Sequence, residues 1–239
     1  FTGEQIAREV RNMGLRTDFI HINSGFSRIN VKLKDYDGTE INGMGPAIES
    51  NYVEALHEKL KQLKSGDLLV LAGSIPKSLP AAIYSEILMR LQNKGILFVV
   101  DATKELLLNA LQYKPFLIKP NNHELGELFH VTLDTREAVV AYAKKLQEKG
   151  AGNVLVSLAG QGAVLVDETG TVHMLAAPRG RLVNAVGAGD SMVAGFLAGW
   201  LEKKDYEHAF RMGVAAGSAS AFSALLATGT EIEQVYASL

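Results

Sequence analysis

The sequence has no cysteine, no long apolar run and no excess of basic residues, and each absence excludes a class of function. Without cysteine among its 239 residues, the chain has neither disulfides nor zinc–thiolate centres, and we expect it to work in a reducing cytoplasm. No apolar stretch approaches the roughly 20 residues that cross a bilayer, so we expect no membrane association. Lys and Arg number 24 against 26 Asp and Glu, whereas nucleic-acid-binding proteins usually carry a basic excess. We therefore expect a small-molecule partner and no nucleic acid.

What the sequence does contain, from about residue 66 onward, is an alternation of short apolar runs with segments of helical period. Such an alternation is typical of an α/β fold, with a mostly parallel, doubly wound sheet covered by helices on both faces. No linker or low-complexity tract interrupts the chain, so we predict one domain over residues 1–239. The predicted strands are 67–73, 96–101, 116–119 and 154–157, and the predicted helices are 80–93, 104–111, 122–129 and 134–149.

Two stretches break this pattern and are predicted to be antiparallel, the first because it alternates polar and apolar residues. Residues 18–34 predict a half-exposed hairpin around a turn at Ser24–Gly25. Residues 162–175 predict a meander at the edge of the sheet. Small residues dominate 187–200 and 213–227, which indicates two closely packed helices.

The strongest local signal for chemistry is a glycine-containing turn that leads into an apolar helix, Asn-Ala-Val-Gly-Ala-Gly-Asp-Ser at 184–191. Backbone N–H groups at a helix N-terminus are unpaired and attract anions. The turn Gly187-Ala188-Gly189 is therefore predicted to hold a phosphate, with Asp190 placed to accept a proton from an attacking hydroxyl. The alternative is that the glycines serve only close packing and Asp190 only complements the helix dipole. The turn is neither a P-loop nor a dinucleotide-binding fingerprint.

Further polar candidates follow predicted strands, where α/β proteins usually bind ligands. Lys119 is a candidate contact for nucleotide phosphates, and Asn121 and Glu124 are candidates for orienting hydrated Mg²⁺. The same Asn–Glu spacing also fits a helix cap, and both interpretations stay open. The loop 157–162 permits close approach of a nucleotide, or is a plain turn. The planar guanidinium of Arg28 suits a substrate phosphate, or is only solvated.

Four motifs occur in order along the chain: Ser-Arg-Ile-Asn at 27–30, Ala-Gly-Ser-Ile-Pro at 72–76, Lys-Pro-Asn-Asn-His-Glu-Leu at 119–125 and Val-Gly-Ala-Gly-Asp at 186–190. Together they resemble the ribokinase-like sugar kinases of the phosphofructokinase B family, and the likeness spans nearly the whole chain. Within that family, the last two motifs are most similar to the branch that acts on fructose 1-phosphate, and next to the branch that acts on tagatose 6-phosphate.

The resemblance implies a ribokinase-like three-layer α/β/α sandwich with a small β lid, to which the hairpin 18–34 would belong. It implies transfer of the γ-phosphate of ATP, with Mg²⁺, to O6 of fructose 1-phosphate, giving fructose 1,6-bisphosphate. The nearest alternatives are tagatose 6-phosphate or fructose 6-phosphate as the acceptor. A sugar-phosphate-binding regulator without catalysis is disfavoured by Asp190, and a nucleoside kinase is disfavoured by Arg28. By residue, the resemblance implies Asp190 as the base, Gly187, Ala188 and Gly189 as the anion hole, Asn121 and Glu124 as the Mg²⁺-linked pair, Lys119, Ser157, Gly160, Gly162 and Ser218 as nucleotide contacts, and Arg28 and Ser74 as substrate contacts.

The sequence also departs from the family pattern. Members begin with a strand that carries substrate-binding carboxylates and with a Gly-Gly-Lys-Gly-type segment, and neither precedes the Phe1 helix here. We therefore expect that an N-terminal strand and part of the lid are missing from this chain. Ala159 stands where many members carry Gly and Asn184 where many carry Asp, so the need for a monovalent cation stays open. An exposed apolar lid face needs covering, and we expect a homodimer through the lid strands.

Overall fold

A computed structural model describes residues 1–32 and 40–239. The chain forms two compact units. We call one the small unit (Phe1–Asp67 and Ser74–Ile96) and the other the sheet unit (Leu68–Gly73 and Leu97–Leu239). Over the ranges described, none of the helices has the length and apolar character to cross a bilayer.

Within its described residues, the small unit contains helices and one short antiparallel pair of strands. Val31 lies opposite Ile41 in that pair. Helix α1 begins directly after Phe1, and α3 is the helix predicted at 80–93. The bounds are α1 (Thr2–Asn12), β1 (Asn30–Lys32), β2 (Glu40–Asn42), α2 (Ser50–Leu60) and α3 (Ile83–Leu91).

The prediction of a hairpin at 18–34 with its turn at Ser24–Gly25 is wrong. Strand β1 pairs with β2, which follows it, and residues 15–29 contain no strand. Gly25 has φ +82°, and a Cβ added to it would lie 2.9 Å from the Cβ of Pro46. The Ser24–Gly25 bend therefore packs against Pro46 instead of joining paired strands. Residues 33 and 34 of the predicted hairpin lie outside the described residues.

The sheet unit is built on six strands whose order in the sheet is their order in the chain. The first four strands run parallel, and the last two are antiparallel. The four parallel strands were predicted from apolar runs, as expected for a parallel sheet, and the last two from the edge meander, so the α/β prediction is confirmed. The strands are β3 (Leu68–Ala72), β4 (Leu97–Asp101), β5 (Leu117–Ile118), β6 (Asn153–Ser157), β7 (Ala163–Val166) and β8 (Val172–Leu175).

Helices cover both faces of this sheet. On one face Val99, Leu117 and Leu155 belong to the same buried cluster as Phe196 and Phe210 of α7 and α8. On strands, alternate side chains point to opposite faces, and α6 packs on the other face of β6 and β7. The predicted α/β/α layering is therefore confirmed. The helices are α4 (Lys104–Leu111), α5 (Asn122–Phe129), α6 (Arg136–Glu148), α7 (Ala188–Lys203), α8 (Tyr206–Phe222) and α9 (Gly229–Ser238).

The small-residue run predicted to be helical at 213–227 is displaced along the chain. Helix α8 begins earlier because the side chain of Asp205 caps it, accepting a hydrogen bond from the His208 N–H at 2.6 Å. It ends at Phe222, so residues 223–227 form a loop between α8 and α9. Small residues pack closely in a helix and in a loop alike, so composition alone did not show that the helix ends at Phe222.

Candidate active site

The carboxyl ends of neighbouring parallel strands bring a buried lysine and a carboxylate together. Asp101 is the last residue of β4, and Lys119 directly follows β5, whose Ile118 pairs with Val100. The Lys119 Nζ lies 3.3 Å from the Asp101 Oδ1, and Lys119 is only 7% exposed. The register of β4 and β5 therefore brings Asp101 and Lys119 together as an ion pair. The pair lies at the carboxyl ends of the parallel strands, where such sheets usually bind ligands.

Three carboxylates share the surroundings of this lysine. Burial raises the pKa of Asp101, and the Lys119 ammonium opposes that rise, while the charges of Asp190 and Glu124 add to it. Asp101, Glu124 and Asp190 are thus close enough to interact electrostatically, although they come from three separate elements. Three carboxylates around one ammonium group attract a further cation or a proton.

The turn before α7 lies next to the same lysine. Gly187 has φ +79°, a left-handed conformation that a side chain disfavours. A Cβ added to Gly189 would lie 3.3 Å from the Lys119 Nζ, so the lysine reaches the first turn of α7. The Ala188 N–H donates to the Ala185 carbonyl at 3.2 Å. The N–H groups of Gly189 and Asp190 lie in the first turn of α7, where a helix provides no carbonyl to accept them. The exposed Asp190 therefore stands beside two amides suited to an anion.

Asn121 and Glu124 form a capping box at the start of α5. The Asn121 Oδ1 accepts from the Glu124 N–H, and the Glu124 Oε2 accepts from the Asn121 N–H, each at 2.8 Å. The capping interpretation of this spacing is therefore correct. The cap also fixes Glu124 near Asp101, so a structural role and a role in ligand binding are compatible in this carboxylate.

The loop 157–162 connects β6 to β7 at the same edge of the sheet. Ser157 is half-buried and forms a parallel bridge with Asn121. The Leu158 N–H donates to the Gly162 carbonyl at 2.8 Å, which closes a tight turn. Gly160 is exposed at its tip, and Gly162 is buried at its end. Ser157 and Gly160 thus leave polar backbone accessible next to the Asn121 cap.

Ser218 lies on α8, half-buried. Its neighbour Gly217 approaches the start of α7: a Cβ added to Gly217 would lie 3.0 Å from the Ala188 carbonyl oxygen. Ser218 therefore directly follows the residue of α8 that approaches the start of α7.

Arg28 and Ser74, the two predicted substrate contacts, belong to the small unit. The Arg28 Nη1 donates to the Ser74 Oγ at 2.8 Å, and both residues are exposed. The two motifs, 46 residues apart in sequence, therefore meet in space.

Asp101 is the residue of the site that sequence reasoning missed. The available signal was a single carboxylate that ends the apolar run 96–101. Its importance becomes visible only when the register of β4 and β5 sets it against Lys119.

The chain matches known proteins over nearly its full length. The profile described as "pfkB family carbohydrate kinase" matches residues 1–232. A 1-phosphofructokinase of Bacillus subtilis is 48% identical over 98% of this chain and 77% of its own length. A D-tagatose-1-phosphate kinase of Bacillus licheniformis is 32% identical over 98% and 77%, respectively.

Solved structures lead to the same family. The crystal structure of phosphofructokinase-2 from Escherichia coli, in complex with substrates and products, superposes with a TM-score of 0.88 at 28% identity. The alignment covers 98% of this chain and 78% of that one. As its motifs, its fold and these similarities agree, the chain belongs to the pfkB family of carbohydrate kinases.

Proposed function

We propose that the protein is an ATP-dependent kinase that phosphorylates fructose 1-phosphate at O6 and forms fructose 1,6-bisphosphate. The observation that carries the proposal is the grouping of Asp101, Lys119, Glu124 and Asp190 at the N-terminus of α7. An ammonium group and a helix N-terminus favour phosphate, and an exposed carboxylate beside them can take a proton. The choice of sugar rests on the similarity to the 1-phosphofructokinase of Bacillus subtilis.

In this reaction Asp190 acts as the general base. The sugar O6 forms a bond to the γ-phosphorus of ATP, the bond from that phosphorus to the oxygen of the departing ADP breaks, and the hydroxyl proton moves to the Asp190 carboxylate. General-base assistance of this kind contributes roughly 10²- to 10⁴-fold. Positioning and charge stabilisation supply the rest.

The anion hole is assigned mainly to the N–H groups of Gly189 and Asp190. Gly187 provides the left-handed turn that exposes them, and Ala188 contributes less because its own N–H is bonded to Ala185. Such donors stabilise charge where it develops on the transferred phosphoryl group.

The donor set around Lys119 suits Mg²⁺ carried by a nucleotide. Mg²⁺ prefers oxygen ligands and keeps several waters, and Glu124 and Asp101 provide carboxylate oxygens. Asn121 is the weaker of the two predicted partners because its Oδ1 already accepts the cap hydrogen bond. When bound, the cation would neutralise phosphate charge; Lys119 would contact the phosphates, and the capped Glu124 would orient the hydrated cation.

Contacts to the nucleotide and to the sugar phosphate are assigned to the residues for which the resemblance to the family implies them. Arg28 suits the substrate phosphate because its planar guanidinium binds such groups through paired hydrogen bonds, and Ser74 orients it. The monovalent-cation requirement stays open because Asn184 stands where many family members carry Asp. The proposed nucleotide contacts are Lys119, Ser157, Gly160, Gly162 and Ser218.

We also propose a cytoplasmic homodimer that pairs through the lid strands. Ile29, Val31 and Ile41 are exposed on and next to β1 and β2, and an apolar strand face of this kind is usually covered. Residues 1–239 are proposed to work as one kinase domain, since a single family profile spans 1–232. Sedimentation of the purified chain tests the dimer, and Ile41→Lys is expected to yield a monomer.

A coupled assay of ADP release with ATP and Mg²⁺ tests the proposed activity. The panel contains fructose 1-phosphate, D-tagatose 1-phosphate, tagatose 6-phosphate, fructose 6-phosphate and a nucleoside. D-tagatose 1-phosphate is the second candidate because a relative covering 98% of this chain carries that name. The highest kcat/KM is expected for fructose 1-phosphate. Preference for another sugar phosphate would overturn the choice of acceptor, and no phosphorylation at all would favour a binding protein.

A further inference from the structure

The carboxylate of Asp190 is exposed. Its position therefore depends on how the first turn of α7 is held. The hydrogen bond from the Ser191 N–H to the Gly187 carbonyl, at 2.8 Å, belongs to that turn itself. What orients the turn relative to the rest of the sheet unit must come from other elements.

Ser220 of α8 provides such a connection. It is 2% exposed, and its hydroxyl donates to the Ser191 Oγ at 2.8 Å while accepting the Ala227 N–H at 3.1 Å. Serines in helices often bond to the carbonyl one turn back, and Ser223, directly after α8, bonds in the same way to Ala219 at 3.0 Å. Ser220 bonds outside its helix in both directions, and so links α7, α8 and the loop 223–227.

The same stretch of chain holds the other side of the turn. The Val183 and Asn184 N–H groups donate to the Ala221 carbonyl at 2.9 and 3.1 Å, and the Asn184 Nδ2 donates to the Ala224 carbonyl at 3.1 Å. A Cβ added to Gly187 would lie 2.7 Å from the Leu226 Cδ2. Residues 220–227 therefore contact the segment 183–191 before and after the anion-hole turn, and the Ser220–Ser191 bond lies next to Asp190.

We propose that Ser220 is a positioning residue that sets the orientation of Asp190 through Ser191. The inference rests on the proposed function, since it matters only if Asp190 is the base. Loss of the Ser220 hydroxyl would free Ser191 from α8 and leave the part-buried Ala227 N–H without its acceptor. Proton transfer requires the base within hydrogen-bond reach of the hydroxyl, so a small rotation of this turn would slow the chemical step without removing any group that contacts ATP or sugar.

Ser220→Ala and Ser191→Ala test this inference from the two ends of one hydrogen bond. We expect each to lower kcat by roughly 10- to 100-fold, the scale of a misplacement near 1 Å, with KM for ATP and for the sugar phosphate nearly unchanged. The double variant is expected to lose no more kcat than either single one, because all three delete the same bond. Thermal denaturation checks that each variant is folded.

Ser223→Ala is the matched control. It removes hydrogen bonds from the same end of α8, to Ala219 and Glu231, neither of which belongs to the 183–191 segment, so its kcat should equal that of the unsubstituted chain. An equal loss of kcat in this control would overturn the inference, because general loosening of α8 would then explain the effect.

Three further results would also overturn it: unchanged kcat in Ser220→Ala, a loss confined to KM for ATP, or additive losses in the double variant. If Ser220→Ala does not fold, the test rests on Ser191→Ala, at a half-buried position. Unchanged kcat in that variant would by itself overturn the inference. The proposed function fails in a different way, by absence of turnover in the unsubstituted chain with every acceptor, and the inference would fall with it.

Discussion

Replacing Lys119 with methionine removes the ammonium group 3.3 Å from the Asp101 carboxylate and keeps most of the side-chain volume. Asp101, whose side chain is 19% exposed, then lies near Asp190 and Glu124 without this cation. Removing one partner of a buried ion pair costs roughly 3 to 5 kcal/mol. We expect the lower end, about 3 kcal/mol of unfolding free energy at neutral pH, because the partly exposed Asp101 can relieve the cost by taking up a proton.

The pH dependence of that loss distinguishes charge from packing. Burial raises the pKa of Asp101 above its unfolded value, and Lys119 opposes the rise, so the pKa goes up further in Lys119→Met. A carboxylate with a raised folded pKa favours folding at low pH, and this contribution is lost as pH rises through the folded pKa. The stability deficit of the variant should therefore shrink as the pH falls from 7 towards 5.

Urea denaturation followed by the fluorescence of Trp200, the single tryptophan, measures this deficit at each pH. The matched control is the double variant Lys119→Met with Asp101→Asn, in which position 101 has no carboxylate to protonate. Its deficit should be smaller at pH 7 and should depend less on pH than that of Lys119→Met. A deficit in Lys119→Met that is equal at pH 5 and pH 7, or no deficit, would refute the reasoning.

Two further predictions concern the sheet edge and the anion-hole turn. Burial opposes the charged form of His173, but hydrogen bonds to Asp167 and Glu207, each 2.8 Å long, outweigh it and raise the pKa of His173. Its contribution to stability is therefore complete below the unfolded His pKa of about 6.5 and is lost as pH rises through the folded value. The excess stability of the unsubstituted chain over His173→Gln, measured by urea denaturation, should decrease from pH 6 to pH 9, and a constant difference would contradict this. Gly187→Ala forces a side chain into φ +79° against Leu226, and we expect a loss of about 1 to 2 kcal/mol of stability with a large fall in kcat. Wild-type kcat in that folded variant would show that the turn tolerates a side chain.

The parallel strands of the sheet unit are predictable from sequence because buried strands require apolar runs. Residues 67–73, 96–101 and 154–157 show such runs, and each matches an observed strand to within one residue. The lid hairpin was misplaced for the opposite reason. Short, exposed strands such as β1 carry little burial signal, and the Ser24–Gly25 bend mimics a hairpin turn while packing against Pro46.

The site was predictable only where its residues are consecutive in the chain. The turn at 187–190 and the pair Asn121 and Glu124 are visible as local patterns, although sequence alone did not decide between capping and ligand binding. Asp101 and Ser220 were not found, because their roles depend on partners brought to them by strand register and by helix packing. Interactions of that kind leave no short motif in a single sequence.

The measurement that tests the central claim most directly is the kcat of Asp190→Asn with fructose 1-phosphate, ATP and Mg²⁺, accompanied by calorimetric titration with ATP. Asp134→Asn, which neutralises an exposed carboxylate on the loop between α5 and α6, is the control for the change of charge. If Asp190 is the general base, Asp190→Asn lowers kcat by roughly 10²- to 10⁴-fold while ATP still binds, and Asp134→Asn has normal kcat. Turnover in Asp190→Asn equal to that of the unsubstituted chain would contradict the assignment of the base.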